Sequence, residues 1–253
     1  MSRYISPVLY ILLMLVGCAA FISIAGVRVG LFEPITGFTL LKQSVFGALV
    51  LSVLAAISIL LCRKEGNVSS QRFFSLVLIV SLVYSFMWIV FYMQRSGLPN
   101  INDITTDTDT PPAFMNVDFL RKSGDNSLYY NTDFASIQKA NYRNLNPVFT
   151  DKDVEVAYLK VLDLVKERSW QLDATYPKVG LIEATARTPI FGFRDDIVLR
   201  VVSQGDRVRI DMRSSSRVGQ RDFGMNARRI VRFMSDLDRR LNNSPFERVQ
   251  YLN

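Results

Sequence analysis

The chain has 253 residues, a formal net charge of +7, two cysteines and no histidine. Without histidine, the sequence excludes Ser-His-Asp and Cys-His catalytic sites and the common histidine-containing zinc sites. Cys18 and Cys62 both lie in the apolar N-terminal part of the chain. Thiol catalysis, iron–sulfur ligation and a disulfide are therefore excluded for the polar remainder.

Three N-terminal segments lack charged residues and reach the roughly 20 residues that a membrane-spanning helix needs. They predict transmembrane helices over approximately residues 5–27, 44–62 and 73–93. No Asp, Glu, Lys or Arg lies within these spans, which argues against an ion or proton pathway. We therefore expect a membrane domain over residues 1–94 that anchors the chain in the bilayer or contacts another membrane protein.

The distribution of Lys and Arg predicts the orientation of these spans. Arg63, Lys64 and Arg72 lie in the short second loop, whereas the longer first loop has only Arg28 and Lys42. Because positive loops stay in the cytoplasm, we expect the N-terminus and the second loop inside. The polar part is then outside, on the periplasmic side of a bacterial inner membrane.

Two features of the first span need separate treatment. The sequence Leu15-Val16-Gly17-Cys18 resembles a lipoprotein cleavage box, but the apolar run continues beyond Cys18 and so favours a membrane span over lipidation. Residues 26–41 are rich in Gly, Phe and Leu. We expect these residues to form a loop along the membrane interface.

The polar part, residues 95–253, begins with a segment that disfavours helix. Asp and Thr dominate the sequence from Asn102 to Thr110, and Pro111 and Pro112 follow. Asp and Thr side chains compete for backbone hydrogen bonds, and the prolines break a helix. Aromatic residues are scattered up to Phe149, which argues against disorder. We predict an extended arm that packs on the rest of the domain.

The sequence pattern after Phe149 predicts a helix, three strands and a second helix. Apolar residues recur at helical spacing from Val154 to about Arg168, and again after Asp222, a plausible N-cap. Strands are predicted at Val179–Arg187, Asp196–Ser203 and Arg207–Ser215, the last two joined by a Gly-Asp hairpin turn. We expect an α+β fold with a small antiparallel sheet packed on two helices.

The hairpin turn fixes the pairing of the last two strands. It places Arg200 opposite Asp211 and Val198 opposite Arg213. One face of the sheet is then apolar, and we expect the other face to be charged and to point outward. That face carries Glu183, Thr185, Arg187, Asp196, Arg200, Arg209, Asp211 and Arg213.

Several segments resemble a known family. They are Asn102–Asp107 with Pro111-Pro112, Asp195–Arg200, and the block Asp211–Gly219 with Asp222, Gly224, Asn226, Ala227, Arg229 and Ile230. Together they resemble the domain of unknown function 1499, over about residues 100–242. The resemblance implies domain boundaries and supplies no catalytic residues.

Arginine dominates the C-terminal part: from Val179 onward there are 14 Arg and no Lys, a composition that favours bidentate pairing. The strand, turn and helix from Arg213 to Ile230 also predict a helix N-terminus that attracts an anion. One hypothesis is a ligand site made of Arg200, Arg213, Arg217, Arg221, Asn226 and Arg229. The alternative is that these arginines pair internally with Asp195, Asp196 or Asp211.

Carboxylates provide two further candidate sites. Acid–base catalysis without histidine is possible with paired carboxylates, and the candidates are Glu183, Asp195, Asp196 and Asp211. Each has an arginine within reach, which favours structural pairing. Asp103, Asp107 and Asp109 offer oxygen ligands for Ca²⁺, but their spacing lacks the Gly and the distal Glu of an EF-hand loop.

These observations predict a membrane-anchored, extracytoplasmic binding domain without a cofactor. We expect it to bind an anionic ligand, a lipid headgroup or another membrane protein. The alternative is a carboxylate-based hydrolase or lyase at the membrane surface. Nucleic acid is not an expected partner, since the polar part has 24 basic against 21 acidic residues and is predicted to lie outside the cytoplasm.

Overall fold

The computed structural model describes residues 1–242, which divide into two units. The first contains Met1–Gly97 with Pro189–Gly192, and the second contains the other described residues from Leu98 onward. The division falls three residues after the predicted domain boundary at residue 94. The last part of the predicted polar domain, residues 243–253, lies outside the described residues.

The first unit has three long helices, α1 (Ser2–Arg28), α2 (Pro34–Cys62) and α3 (Val68–Ser96). Each is long and apolar enough to cross a membrane, which confirms a long apolar helix at each of the three predicted spans. The prediction of an interfacial loop over residues 26–41 is wrong for its second half, because α2 begins at Pro34. Pro34 suits the first turn of a helix. The predicted span began only after the charged Lys42, but a charged residue does not end a helix, and α2 includes Lys42.

Small and hydroxyl residues pack these helices together. A Cβ on Gly37 of α2 would lie 2.5 Å from the Ser23 carbonyl oxygen of α1, so the two backbones approach closely there. The hydroxyls of Ser44 in α2 and Tyr84 in α3 are 2.7 Å apart and share a hydrogen bond. Small residues and interhelical hydrogen bonds of this kind hold helices together where burial of apolar surface cannot.

The second unit is α+β, as predicted. Its helices are α4 (Asp133–Asn141), α5 (Val154–Glu167) and α6 (Met225–Asn242). Its strands are β1 (Asp103–Thr105), β2 (Val148–Thr150), β3 (Gln171–Tyr176), β4 (Leu181–Arg187), β5 (Arg194–Gln204) and β6 (Arg207–Ser216). The arm, residues 99–149, is therefore more structured than predicted, since it supplies β1, α4 and most of β2.

All six strands form one antiparallel sheet in the order β1-β6-β5-β4-β3, and β2 pairs with the other half of the β6 edge. The prediction of three strands is incomplete, because two strands come from the arm and a third follows α5. The predicted register is confirmed: Arg200 pairs with Asp211, and Val198 pairs with Arg213.

The apolar core lies between one sheet face and the helices α5 and α6. Fully buried Val161, Ile230 and Phe233 from the helices pack with Ile197 and Ile210 from the sheet. The Trp170 ring stacks on Phe233 with the ring centroids 5.3 Å apart. The alternation of apolar and charged residues in β4, β5 and β6 turns their charged side chains to the opposite face.

Candidate functional site

The arm covers the charged face of the sheet, which we expected to point outward. Glu183, Asp196 and Asp211 have no exposed surface, and Arg213 is only 3% exposed. Burying charge is costly unless each group is paired and hydrogen-bonded. The partners of these four side chains therefore decide what this surface can do.

Arg213 is held by the arm on all sides. Its Nε and Nη2 donate to the two carboxylate oxygens of Asp103 at 3.0 and 2.7 Å. Its Nη1 donates to the Pro112 carbonyl and its Nη2 to the Leu128 carbonyl, at 3.1 and 2.7 Å. The guanidinium also lies over the Phe114 ring, 5.1 Å from the centroid. These contacts leave little of the group available for an external anion.

Asp196 is the centre of a second cluster. Its carboxylate accepts hydrogen bonds from Arg217 Nη2 at 2.8 Å and from Arg121 Nε at 2.9 Å. Thr185 Oγ1 is 3.2 Å away and within hydrogen-bonding distance. Arg217 also donates to the Leu120 carbonyl in the arm at 2.9 Å. One carboxylate thus pairs with Arg217, which directly follows β6, and with an arginine from the arm.

A third cluster joins Asp107 of the arm to Asp211 of β6. Arg200 Nη2 lies 2.9 Å from Asp107 and 2.8 Å from Asp211, and Arg209 Nη2 donates to Asp211 at 3.0 Å. Burial would raise the pKa of Asp107, but hydrogen bonds from Thr110 and the Arg200 guanidinium lower it to about 2. The carboxylate therefore stays charged and paired at neutral pH.

Glu183 binds backbone rather than arginine. Its carboxylate accepts from the N–H groups of Met115, Asn116 and Val117, the last two at 2.9 and 3.0 Å. Val117 begins a short 3₁₀ helix, Val117–Leu120, so the carboxylate satisfies the free donors at its start. Glu183 fixes the arm over β4.

The remaining candidates lie on the helix side of the sheet. Arg229 of α6 pairs with Asp195 at 2.5 Å and donates to Ser214 Oγ at 2.8 Å. Asn226 is fully buried, and its side-chain amide donates to the Asn102 carbonyl at 3.0 Å. These bonds join the start of α6 to the end of β6 and to the first arm residues.

Asp222 occupies the N-terminus of α6. Its carboxylate accepts from the N–H groups of Gly224 at 2.9 Å and Asn226 at 2.7 Å, the position that an external anion would take. Burial raises the pKa of Asp222 to about 6, against the opposing effect of these hydrogen bonds. Arg221 is half-buried, and within residues 1–242 its side chain makes no hydrogen bond or ion pair.

These contacts favour internal pairing over the anion cradle, and structural carboxylates over acid–base groups. The structure brings most of the predicted site residues together in three clusters under the arm and one beside α6. Glu183 binds the arm backbone separately, and Arg221 and Asp109 lie apart from the clusters. Sequence reasoning missed the arm side of the network, which is Arg121, Asn126 and Gln138. The Asn126 side-chain amide donates to the Ser216 carbonyl at 2.9 Å. Gln138 bonds both backbone groups of Thr105, at 3.0 and 2.7 Å.

The three aspartates considered for Ca²⁺ are not brought together as ligands. Asp103 and Asp107 pair with arginines as described, and Asp109 is exposed and lies 3.3 Å from Lys139. Among residues 1–242, no group of three or more His, Cys, Asp or Glu side chains is arranged to hold a metal ion.

Comparisons with known proteins agree with this domain. A family model described as Protein of unknown function (DUF1499) matches residues 103–237, more than half of the chain. The match spans β1 to the middle of α6 and contains all four clusters. No curated protein matches the chain. The chain belongs to the DUF1499 family.

Proposed function

We propose that this member of the DUF1499 family is a non-catalytic, membrane-anchored binding domain whose polar unit lies in the periplasm of a bacterial cell. Three apolar helices support the anchor. The buried, bonded state of Glu183, Asp195, Asp196 and Asp211 supports the absence of catalysis at these groups. The partner is another protein at the same membrane surface.

One observation carries this proposal: the arm exposes large apolar side chains. Phe119 is 85% exposed, Tyr129 is 91% exposed and Met115 is 50% exposed. Aromatic side chains supply much of the binding energy in protein interfaces. We call Met115, Phe119 and Tyr129 the arm surface.

The buried clusters hold the arm surface in place before a partner binds. Met115 donates its N–H to Glu183, and Leu120, next to Phe119, accepts from Arg217. Leu128, next to Tyr129, accepts from Arg213. A loop that is already ordered loses less conformational entropy on binding. The charged network therefore raises the affinity of the arm surface by ordering the arm, although its own side chains do not contact the partner.

Site-specific photo-crosslinking tests the binding surface. A crosslinker at Phe119 or Tyr129 should give one discrete adduct in cells. Matched positions at Leu159 and Val179, exposed by 51% and 53% in the same unit, should not give it. The adduct from Tyr129 should disappear when Phe119→Ser is added, with no change in melting temperature. Equal adducts at all four positions would refute the proposal.

The orientation is tested separately by labelling. With Cys18 and Cys62 replaced by serine, a cysteine at Asp206 in the β5–β6 turn should react with a membrane-impermeant maleimide in intact spheroplasts. A cysteine at Arg63 should react only after lysis. The reverse pattern would place the polar unit in the cytoplasm.

A further inference from the structure

The first unit has a groove that neither the anchor nor the arm surface explains. It is about 710 Å³ in volume and lies between the start of α1 and the start of α3. One end is polar and the other is apolar. The groove is lined by Arg3, Ser6, Pro7, Tyr10, Ile11, Ser69, Ser70 and Phe73.

The polar end of the groove carries an uncompensated positive charge. Glu65, the one carboxylate nearby in sequence, is already paired with the terminal amino group of Met1 at 2.9 Å and accepts from the Ser2 N–H at 3.0 Å. The Arg3 side chain makes no hydrogen bond or ion pair within residues 1–242. Arg63 and Lys64, which precede Glu65, are not among the residues that line the groove.

The apolar end continues along the same faces of the two helices. Tyr10 follows Arg3 by seven residues and Phe73 follows Ser69 by four, spacings that keep each pair on one helix face. Tyr10 is exposed and Phe73 is half-buried. A ligand that fills the groove must therefore be anionic at one end and apolar at the other.

We propose that this groove binds an anionic phospholipid, with the phosphate beside Arg3 and the acyl chains along Tyr10, Ile11 and Phe73. Basic pockets between transmembrane helices bind anionic headgroups in this way. The hydroxyls of Ser69 and Ser70 supply donors for the phosphate oxygens. The groove is open along its outer side, so a lipid can enter it sideways from the bilayer.

This site is independent of the proposed function, because it uses neither the arm nor the polar unit. It places a lipid in the leaflet that faces the N-terminus and the α2–α3 loop. The bound lipid would fill the space between α1 and α3 and so stabilise the packing of the anchor.

Native mass spectrometry of the full-length chain in detergent tests the proposal. The protein is equilibrated with equal amounts of phosphatidylglycerol and phosphatidylcholine, and the retained lipid is counted. We expect preferential retention of phosphatidylglycerol, reduced about fivefold by Arg3→Gln, the size expected for one basic residue. Detergent removes any dependence on orientation in the membrane.

Two matched variants separate the groove from general surface charge. Arg63→Gln removes a charge from the same end of the unit outside the groove, and Arg28→Gln removes one from the far end of α1. Both should keep the retention of the unaltered chain. Equal losses in Arg3→Gln and Arg63→Gln, or no preference in the unaltered chain, would overturn the proposal. Ser69→Leu, which keeps every charge and narrows the groove, should also lower retention.

Discussion

The substitution Arg213→Met should destabilise the second unit by about 3–5 kcal/mol, because it leaves a buried carboxylate without its counter-charge. Arg213 is 3% exposed and holds both oxygens of Asp103 in a bidentate pair. Two arm carbonyls, of Pro112 and Leu128, also lose their donor. Methionine keeps most of the apolar stem, so the loss reports the charge and the hydrogen bonds more than a cavity.

The size of this loss should depend on pH. Burial raises the pKa of Asp103, and the Arg213 guanidinium is the main group that lowers it. In the variant the folded-state pKa of Asp103 is therefore raised further above its unfolded value. A carboxyl with a raised folded-state pKa lowers the free energy of unfolding by its full amount when the pH is above that pKa. It has no effect when the pH is below its unfolded-state pKa of about 4. The difference between the two proteins should shrink as the pH falls toward 4.

Urea unfolding of the full-length chain in detergent measures both effects. In a Trp88→Phe background, the fluorescence of Trp170, which stacks on Phe233 in the core, follows the second unit. The matched control is Arg207→Met, since Arg207 is 52% exposed and pairs with the exposed Asp151; it should cost less than about 1 kcal/mol. Equal losses in Arg213→Met and Arg207→Met would refute the structural role of the network.

Three further predictions use other features of the second unit. Because burial raises the folded pKa of Asp222 to about 6, this group should lower the free energy of unfolding by about 2 kcal/mol as the pH rises from 4 to 7. Asp222→Asn should flatten that dependence in urea titrations. Gly180→Ala should destabilise by more than the ~1–2 kcal/mol of its left-handed backbone, since its Cβ would lie 2.0 Å from the Val201 carbonyl oxygen. Gly205→Ala, with a similar φ and open space, should show only the backbone cost. Neither Ca²⁺ nor a chelator should shift the melting temperature. A rise in melting temperature with Ca²⁺ would instead support a Ca²⁺ site at Asp103, Asp107 and Asp109.

The parts of the fold with strong periodicity could be predicted from the sequence. The apolar stripe of α6 and the β5–β6 register follow from local spacing, and so does the count of membrane spans. The strands β1 and β2 have three residues each, too few to show alternation. The strand β3, with its bulge after Leu172, is mostly polar and at the sheet edge. These three strands exist because longer neighbours pair with them.

The residues of the candidate site could be predicted from the sequence, but their burial under the arm could not. Alternation in β6 indicates that Asp211 and Arg213 face away from the helices; it does not indicate whether water or protein lies there. The answer depends on pairs such as Asp103 with Arg213, 110 positions apart, and Arg121 with Asp196, 75 positions apart. Arg121 lies in a loop without periodicity, so no local signal identifies it.

The charged clusters under the arm raise the question of why the arm is not held by apolar contacts. Replacing a buried ion pair by well-packed apolar residues is often neutral or stabilising, so stability alone does not explain the network. Bidentate pairs such as Asp103 with Arg213 fix one position of the arm on the sheet, whereas apolar contacts tolerate sliding. The arm surface depends on that register, because Phe119 and Tyr129 lie beside carbonyls bound by Arg217 and Arg213. Replacing Asp103 and Arg213 together by apolar residues should then restore most of the stability and still weaken crosslinking from Tyr129.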